Sequence, residues 1–216
     1  MSYIYKTGRI ELREQIKKYS YYIKGDVLDV GAGNYSRYVD LFNYDKYARM
    51  NVRPGGNTDV VGRVENIPCS NNSFDSIVCT QVLGDVYELH KAFSELYRVL
   101  KPGGILLVTE SLFDPLHDEP HDFWRFTEHS FKRLAEDAGL KVLVIEKRGG
   151  YFSVLAQLKA RYWIERLGAG KKWLDKPLSF TLKICGIWAR FLDRKDKSRA
   201  NKLFTHGYIL IARKHA

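Results

Sequence analysis

Short apolar runs alternate with longer amphipathic stretches along much of the chain. Residues 27–30 (VLDV) form a buried-strand pattern that runs into glycines. Residues 47–52, 60–61, 76–79, 105–109 (ILLVT), 142–146 (VLVIE) and 208–212 (YILIA) bring the number of such runs to seven. Aliphatic and β-branched runs of this kind suit strands covered on both faces. Between them the period changes to that of a helix. Residues 9–23 precede the first strand, and residues 87–100 place Leu89, Phe93, Leu96, Val99 and Leu100 on one face. Residues 128–138 begin after Thr127, a good N-cap, and stop at Gly139. Strand–helix alternation predicts an α/β fold, a mostly parallel sheet with helices on both faces.

One stretch breaks the alternation. Between the sixth and seventh runs, residues 147–207 carry two amphipathic segments. The first puts Phe152, Leu155, Leu158, Tyr162 and Trp163 near one side, and the second spaces Leu178, Leu182, Cys185, Trp188 and Leu192 at helical intervals. Basic residues are interleaved, among them Lys159, Arg161, Arg166, Lys171, Lys172, Lys176, Lys183, Arg190 and Arg194. The stretch reads as a helical insertion, a cap or a surface-binding element, before the last strand. For any one of its aromatics, core packing is the favoured reading.

Charge sharpens this division. The net charge is +10, yet residues 1–140 hold 17 Lys and Arg against 20 Asp and Glu, a balance of −3. Residues 141–216 hold 18 against 5, a balance of +13. A basic last third suits either a solvated surface or an anionic partner: a membrane face, a phosphorylated substrate or nucleic acid. Three cysteines with no CxxC pair argue for a reducing compartment. The first thirteen residues lack the apolar core of a signal peptide, and no apolar run reaches membrane-spanning length. The expected location is cytoplasmic, with peripheral membrane contact through 149–206 as an option.

The candidate chemistry begins at Val27-Leu28-Asp29-Val30-Gly31-Ala32-Gly33-Asn34. A buried strand that breaks into glycines opens a site at the carboxyl edge of a sheet, where a missing Cβ lets backbone approach a ligand. Ser36 stands where a dinucleotide fingerprint needs its third glycine, so a dinucleotide oxidoreductase is disfavoured. Downstream come Glu65-Asn66-Ile67-Pro68, Ser73-Phe74-Asp75-Ser76-Ile77-Val78, and Arg98-Val99-Leu100-Lys101-Pro102-Gly103-Gly104. With these the chain resembles the class I S-adenosylmethionine (SAM) dependent methyltransferases, in particular the methyltransferase type 11 group, over roughly residues 25–148. The resemblance implies a Rossmann-like, seven-stranded sheet whose last strand is antiparallel. It implies one domain over 1–216, with a core at 25–148, an insertion at 149–206 and a last strand at 207–214.

The resemblance also implies a cofactor, SAM, and its contacts. Asp29 and the backbone of Gly31, Ala32 and Gly33 would face the methionine part. Asn51, beside Val52, stands where the family places a ribose-binding acid, and Arg63, beside Val64, stands where it places an acid for the adenine amino group. The backbone near Thr80 and Gln81 would meet the SAM amine, and Gly84-Asp85 replace the usual Glu-His pair. Asn51 lacks the charge-assisted strength of a carboxylate, and Arg63 accepts no hydrogen bond. Weaker SAM binding is expected unless another residue compensates.

After the fifth strand comes Phe113-Asp114-Pro115-Leu116-His117-Asp118-Glu119-Pro120-His121-Asp122-Phe123-Trp124-Arg125-Phe126-Thr127. It opens at the same sheet edge as the glycines. A hydroxyl acceptor needs a base near neutral pH, and His117 and His121 are the candidates, with Asp118 or Asp122 to orient them. Asp122 joins the two histidines in the candidate catalytic set. Arg125 reads as a carboxylate or anion binder. The spacing is not diagnostic of a metal, and none is assigned. The DFWRFT portion is similar to a subset of the type 11 enzymes associated with sugar and cell-envelope glycan modification. The leading expectation is methylation of a small-molecule, glycan or lipid-linked acceptor, at oxygen. The alternatives are an RNA methyltransferase, against which no RNA-binding module is present, and a non-catalytic protein of the same fold.

Overall fold

The computed structural model describes residues 7–167 and 172–215. Seven strands form one sheet: β1 (Asp26–Val30), β2 (Lys46–Asn51), β3 (Val60–Val61), β4 (Phe74–Thr80), β5 (Leu100–Ser111), β6 (Leu140–Arg148) and β7 (Gly207–Lys214), in the order β3-β2-β1-β4-β5-β7-β6. Each coincides with one of the seven apolar runs. β1 pairs parallel with β2 and with β4, β4 pairs parallel with β5, and β7 runs antiparallel to β5. The chain moves outward from β1 through β2 to β3, then returns to lay β4 on the other side of β1. Strand order therefore reverses between β1 and β4, which opens a crevice above their carboxyl ends.

The helices are α1 (Thr7–Tyr19), α2 (Leu89–Val99), α3 (Glu128–Asp137), α4 (Tyr151–Arg166), α5 (Lys172–Lys195) and α6 (Arg199–Lys202). α2 buries Ala92, Phe93, Leu96 and Val99, the face its periodicity predicts. Thr127 caps α3 by accepting from the Ser130 N–H at 3.2 Å, and Gly139, at φ +86°, turns the chain after its end. Between α2 and the regular part of β5, the Lys101-Pro102-Gly103-Gly104 segment makes a bulge against β4, with Gly103 at φ +76°.

By compactness the chain divides into two units. The first comprises residues 15–112, 116–146 and 207–215 and holds most of the sheet with α2 and α3. Its core gathers Leu28, Ile77, Phe93, Leu106, Phe126, Phe131 and Leu210. The second comprises residues 7–14, 113–115 and 147–206, with α4, α5 and α6. Here Asp193 of α5 caps α4. Its carboxylate accepts from the N–H groups of Gly150, Phe152 and Ser153 at 3.0–3.1 Å. Asn201 Oδ1 accepts from Tyr151 N–H at 2.7 Å. Two oxygen-bearing side chains thus satisfy the orphan donors of that helix start.

The helical faces of this second unit differ from those the spacing predicts. α4 buries Ser153, Val154, Ala160 and Ile164, leaving Leu158, Tyr162 and Trp163 exposed. α5 buries Gly186 and Ala189, while Cys185, Trp188 and Leu192 face outward. In α5 small residues, not the large apolar ones, make the packed face, because they allow close approach. Core packing, the favoured reading of Trp163 and Trp188, is therefore corrected. Lys171 lies outside the described residues, as do the side chains of Lys172 and Trp173. Among the described residues, no helix is long and apolar enough to cross a membrane.

Candidate functional site

A cavity of about 760 Å³ opens in the sheet-bearing unit, walled by Val30 and Gly31 after β1, Met50 to Arg53 at the end of β2, Gly62 to Glu65, and Gln81 to Tyr87 after β4 except the buried Leu83-Gly84 pair. Asp118, Glu119, His121 and Phe123 close its fourth side. That volume suits a nucleoside-sized ligand. Val30, Met50, Val64 and Val86 make a buried apolar part of its lining.

The glycine turn is built by close approach. Gly31 stands at φ +71°, and a Cβ there would lie 2.3 Å from Val82 Cγ2. Gly33 is at φ +62°, with nothing near its missing Cβ. The turn is held by Asn51, whose Oδ1 accepts from the Gly33 N–H at 2.8 Å and whose Nδ2 donates to the Gly33 carbonyl at 3.4 Å and to Thr58 Oγ1 at 2.9 Å. Asp29 lies beneath. It is 5% exposed, accepts the Tyr47 hydroxyl at 2.9 Å, and burial lifts its carboxyl to about 6 against the pull of Tyr47, Ser36 and Arg49.

Of the residues the sequence singles out, Gly31, Asn51, Val52, Arg63, Val64, Gln81 and His121 line the cavity. Asp29, Ala32, Gly33, Thr80, His117 and Asp122 do not. Thr80 ends β4 in register with Thr109. Gln81, at φ +56°, accepts from the Ser111 hydroxyl at 2.7 Å. The Arg63 side chain is 67% exposed and pairs with Glu65 at 3.1 Å. Glu65, an acid buried in the cavity wall, thus stands two residues from the position where Arg63 departs from the pattern. Its place in the motif gave no hint of this, because it lies inside the turn closed by the Arg63–Asn66 bridge.

A second acid missed by the sequence is Glu110. It is 4% exposed and accepts from the Val82 and Leu83 N–H groups at 2.7 and 2.6 Å. Burial pushes its carboxyl up to about 7, and the nearby Asp85 adds to the rise while the backbone donors oppose it. The Gly84 carbonyl in turn accepts from Phe123 and Trp124 N–H at 2.9 and 3.0 Å. The loop after β4 is thus pinned from β5 on one side and from the 117–126 loop on the other.

Within that loop, Asp122 makes a two-pronged ion pair with Arg125, at 2.6 and 2.9 Å. The guanidinium holds the Asp122 carboxyl down at about 2, so this group stays ionised. It also accepts the His117 N–H at 3.1 Å and lies 3.7 Å from His117 Nδ1. Asp122 thus ties the start of this loop, at His117, to Arg125. Asp85, His117 and Asp118 each offer a ligand atom within 4.8 Å of the others. Asp85 Oδ1 is buried without a hydrogen-bond partner among the described residues, and burial raises its carboxyl.

A family model described as a methyltransferase domain matches residues 28–108. The ubiquinone/menaquinone biosynthesis C-methyltransferase UbiE of Haemophilus ducreyi is 39% identical over 85 residues, 38% of this chain and 32% of that protein. Across the UbiE proteins compared, the chain spans 26% to 45% of the relative's length. Among solved structures, the cyclase SpnF superposes with a TM-score of 0.61 at 21% identity, covering 95% of this chain and 81% of that one. The phosphoethanolamine N-methyltransferase 2 of Haemonchus contortus, solved with S-adenosyl-L-methionine, gives 0.57 at 16% identity, with 94% and 52% covered. Likeness at this identity carries the fold.

Proposed function

Because the chain belongs to the class I SAM-dependent methyltransferases, enzymes whose cofactor is SAM, we propose that it transfers the SAM methyl group to a small-molecule, glycan or lipid-linked acceptor at oxygen. The whole of residues 1–216 is read as one such domain, with the core at 25–148, the insertion at 149–206 and the last strand at 207–214.

The observation that carries this reading is the cavity at the β1–β4 crevice, lined by Gly31 of the glycine turn, by Asp85 of the loop after β4, and by Asp118, Glu119 and His121. SAM supplies a methyl group activated on a sulfonium. Gly31 offers backbone at close range, Ala32 and Gly33 continue that turn, and Asp29 supports it from below. Asn51, with Val52, fixes the turn, and Glu65 supplies the acid that Arg63 does not, with Val64 as an apolar wall. The Thr80–Gln81 backbone and Asp85, whose Oδ1 has no hydrogen-bond partner among the described residues, suit a cationic amine. His121 would take the acceptor proton, while Asp122 fixes the loop that carries His117 and His121. A lipid-linked acceptor would be met at a membrane face, and 149–206 has the composition for that contact.

The UbiE similarity favours a second reading, an aromatic carbon acceptor. A base beside the acceptor serves that chemistry too, by removing the proton from the ring as the methyl group arrives. The test is a methyl-transfer screen with labelled SAM against lipid-linked sugars, phenolic quinone precursors and RNA. Product on the sugars or the phenols supports the respective reading, and His121→Ala lowers that turnover about a hundredfold or more. Product on RNA alone, or a His121→Ala enzyme of unchanged rate, contradicts both.

A further inference from the structure

α5 shows two opposed faces. Gly186 and Ala189 are buried, and Leu182 is half-buried beside them. On the other side Phe180 is 65% exposed, Ile184 42%, Ile187 52%, Trp188 61% and Phe191 47%. At the helical repeat these five fall within an arc of about 100°. Trp188 and Phe191 pack edge to face at 5.9 Å, and the Lys195 ammonium sits 5.7 Å from the Phe191 ring. A row of large apolar side chains this long is seldom left to water.

The exposed charge around the row is mostly positive. Lys176, Lys183, Arg194 and Lys195 of α5 are exposed, and Lys197, Arg199 and Lys202 follow directly. Among the described residues of 149–206 the acids are Glu165 of α4, which is exposed, and Asp193 and Asp196, which are half-buried. A cationic, amphipathic helix with aromatics in its apolar row is the pattern that lies in a lipid headgroup layer. Nucleic acid would take the cations and the rings but leaves Ile184 and Ile187 without a partner. A second copy would bring two cationic faces together.

We propose that α5 docks the protein on an anionic lipid bilayer, lying along the interface with Phe180, Ile184, Ile187, Trp188 and Phe191 in the acyl boundary. Arg194, Lys195 and the lysines beside them would face the phosphates. This docking does not depend on the methyl-transfer reading.

The test is flotation of the full chain with vesicles of phosphatidylcholine alone or with 30% phosphatidylglycerol. The expected result is at least tenfold more protein on the anionic vesicles at 0.1 M NaCl, falling several-fold at 0.5 M. Ile187→Glu loses at least tenfold of that binding. Leu203→Glu, at a still more exposed apolar site outside the row, stays within twofold of wild type. SAM affinity of Ile187→Glu stays at the wild-type value, so a failure of docking leaves the cofactor site standing. Absent flotation, equal binding to both vesicles, or unchanged binding by Ile187→Glu overturns the proposal. So does a dimer that Ile187→Glu disperses, which gives the row to a second copy. Retention of a single-stranded RNA with no binding to vesicles overturns it as well.

Discussion

Asn51 grips Gly33 through both of its amide atoms, accepting from the N–H at 2.8 Å and donating to the carbonyl at 3.4 Å. A carboxylate at 51 could make only the first of these bonds. The residue that departs from the family's acid thus holds the glycine turn in place from the end of the neighbouring strand. Asn51→Ala frees the turn and is expected to weaken SAM binding about tenfold, the size of one or two lost hydrogen bonds. Titration calorimetry checks this, with the melting temperature as the control for folding.

Glu65 and Arg63 share an ion pair but not a fate. Glu65 is buried in the cavity wall, whereas the Arg63 side chain is 67% exposed. Glu65→Gln is expected to raise the SAM dissociation constant about tenfold, and Arg63→Ala to change it less than threefold. Equal effects from the two variants would mean that the arginine carries the contact.

The strands were legible because each is a run of aliphatic residues bounded by polar turns, a signal that survives without knowing its neighbours. The site was legible where it depends on backbone, as at Gly31, and illegible where it depends on a partner distant in sequence. Glu110 meets Val82 and Leu83 across 27 or 28 residues. Asn51 meets Gly33 across 18. The α5 face was misread for another reason. Leu182 and Trp188 both fit helical spacing, and periodicity alone does not say which of two apolar sides is packed when the buried side is made by Gly186 and Ala189.

Glu110 should make stability depend on pH in a defined direction. Its carboxyl is at about 7 in the folded chain, against an ordinary value of 4.5. Folding therefore favours its protonated form. The stabilisation is whole below about pH 4.5 and is lost as pH rises through 7, at most roughly 3 kcal/mol. Glu110→Gln keeps an acceptor for both N–H groups and removes the titration. The difference in unfolding free energy between variant and wild type should then grow in favour of the variant from pH 5 to pH 8, as denaturant melts would record.

Asp122 works in the opposite sense. Its carboxyl is held at about 2, below the ordinary 3.8, by Arg125. The stabilisation is present above pH 4 and is lost as pH falls toward 2. Arg125→Ala leaves a 3%-exposed carboxylate without its partner, and about 3 kcal/mol of stability should go with it at pH 7. Melts of Arg125→Ala and Asp122→Asn at pH 7 and pH 3 check the assignment, since the acid-sensitive part should be absent from both.

Methyl transfer by this fold requires that the crevice between β1 and β4 hold SAM against the Gly31 turn. Calorimetric titration of SAM into the wild type and into Gly31→Ala tests it most directly, because the added methyl group would lie 2.3 Å from Val82 Cγ2. The expected result is one site per chain in the wild type and at least a tenfold loss in a variant that still folds. A folded wild type that gives no binding, or a Gly31→Ala protein that binds as well as the wild type, would contradict the account.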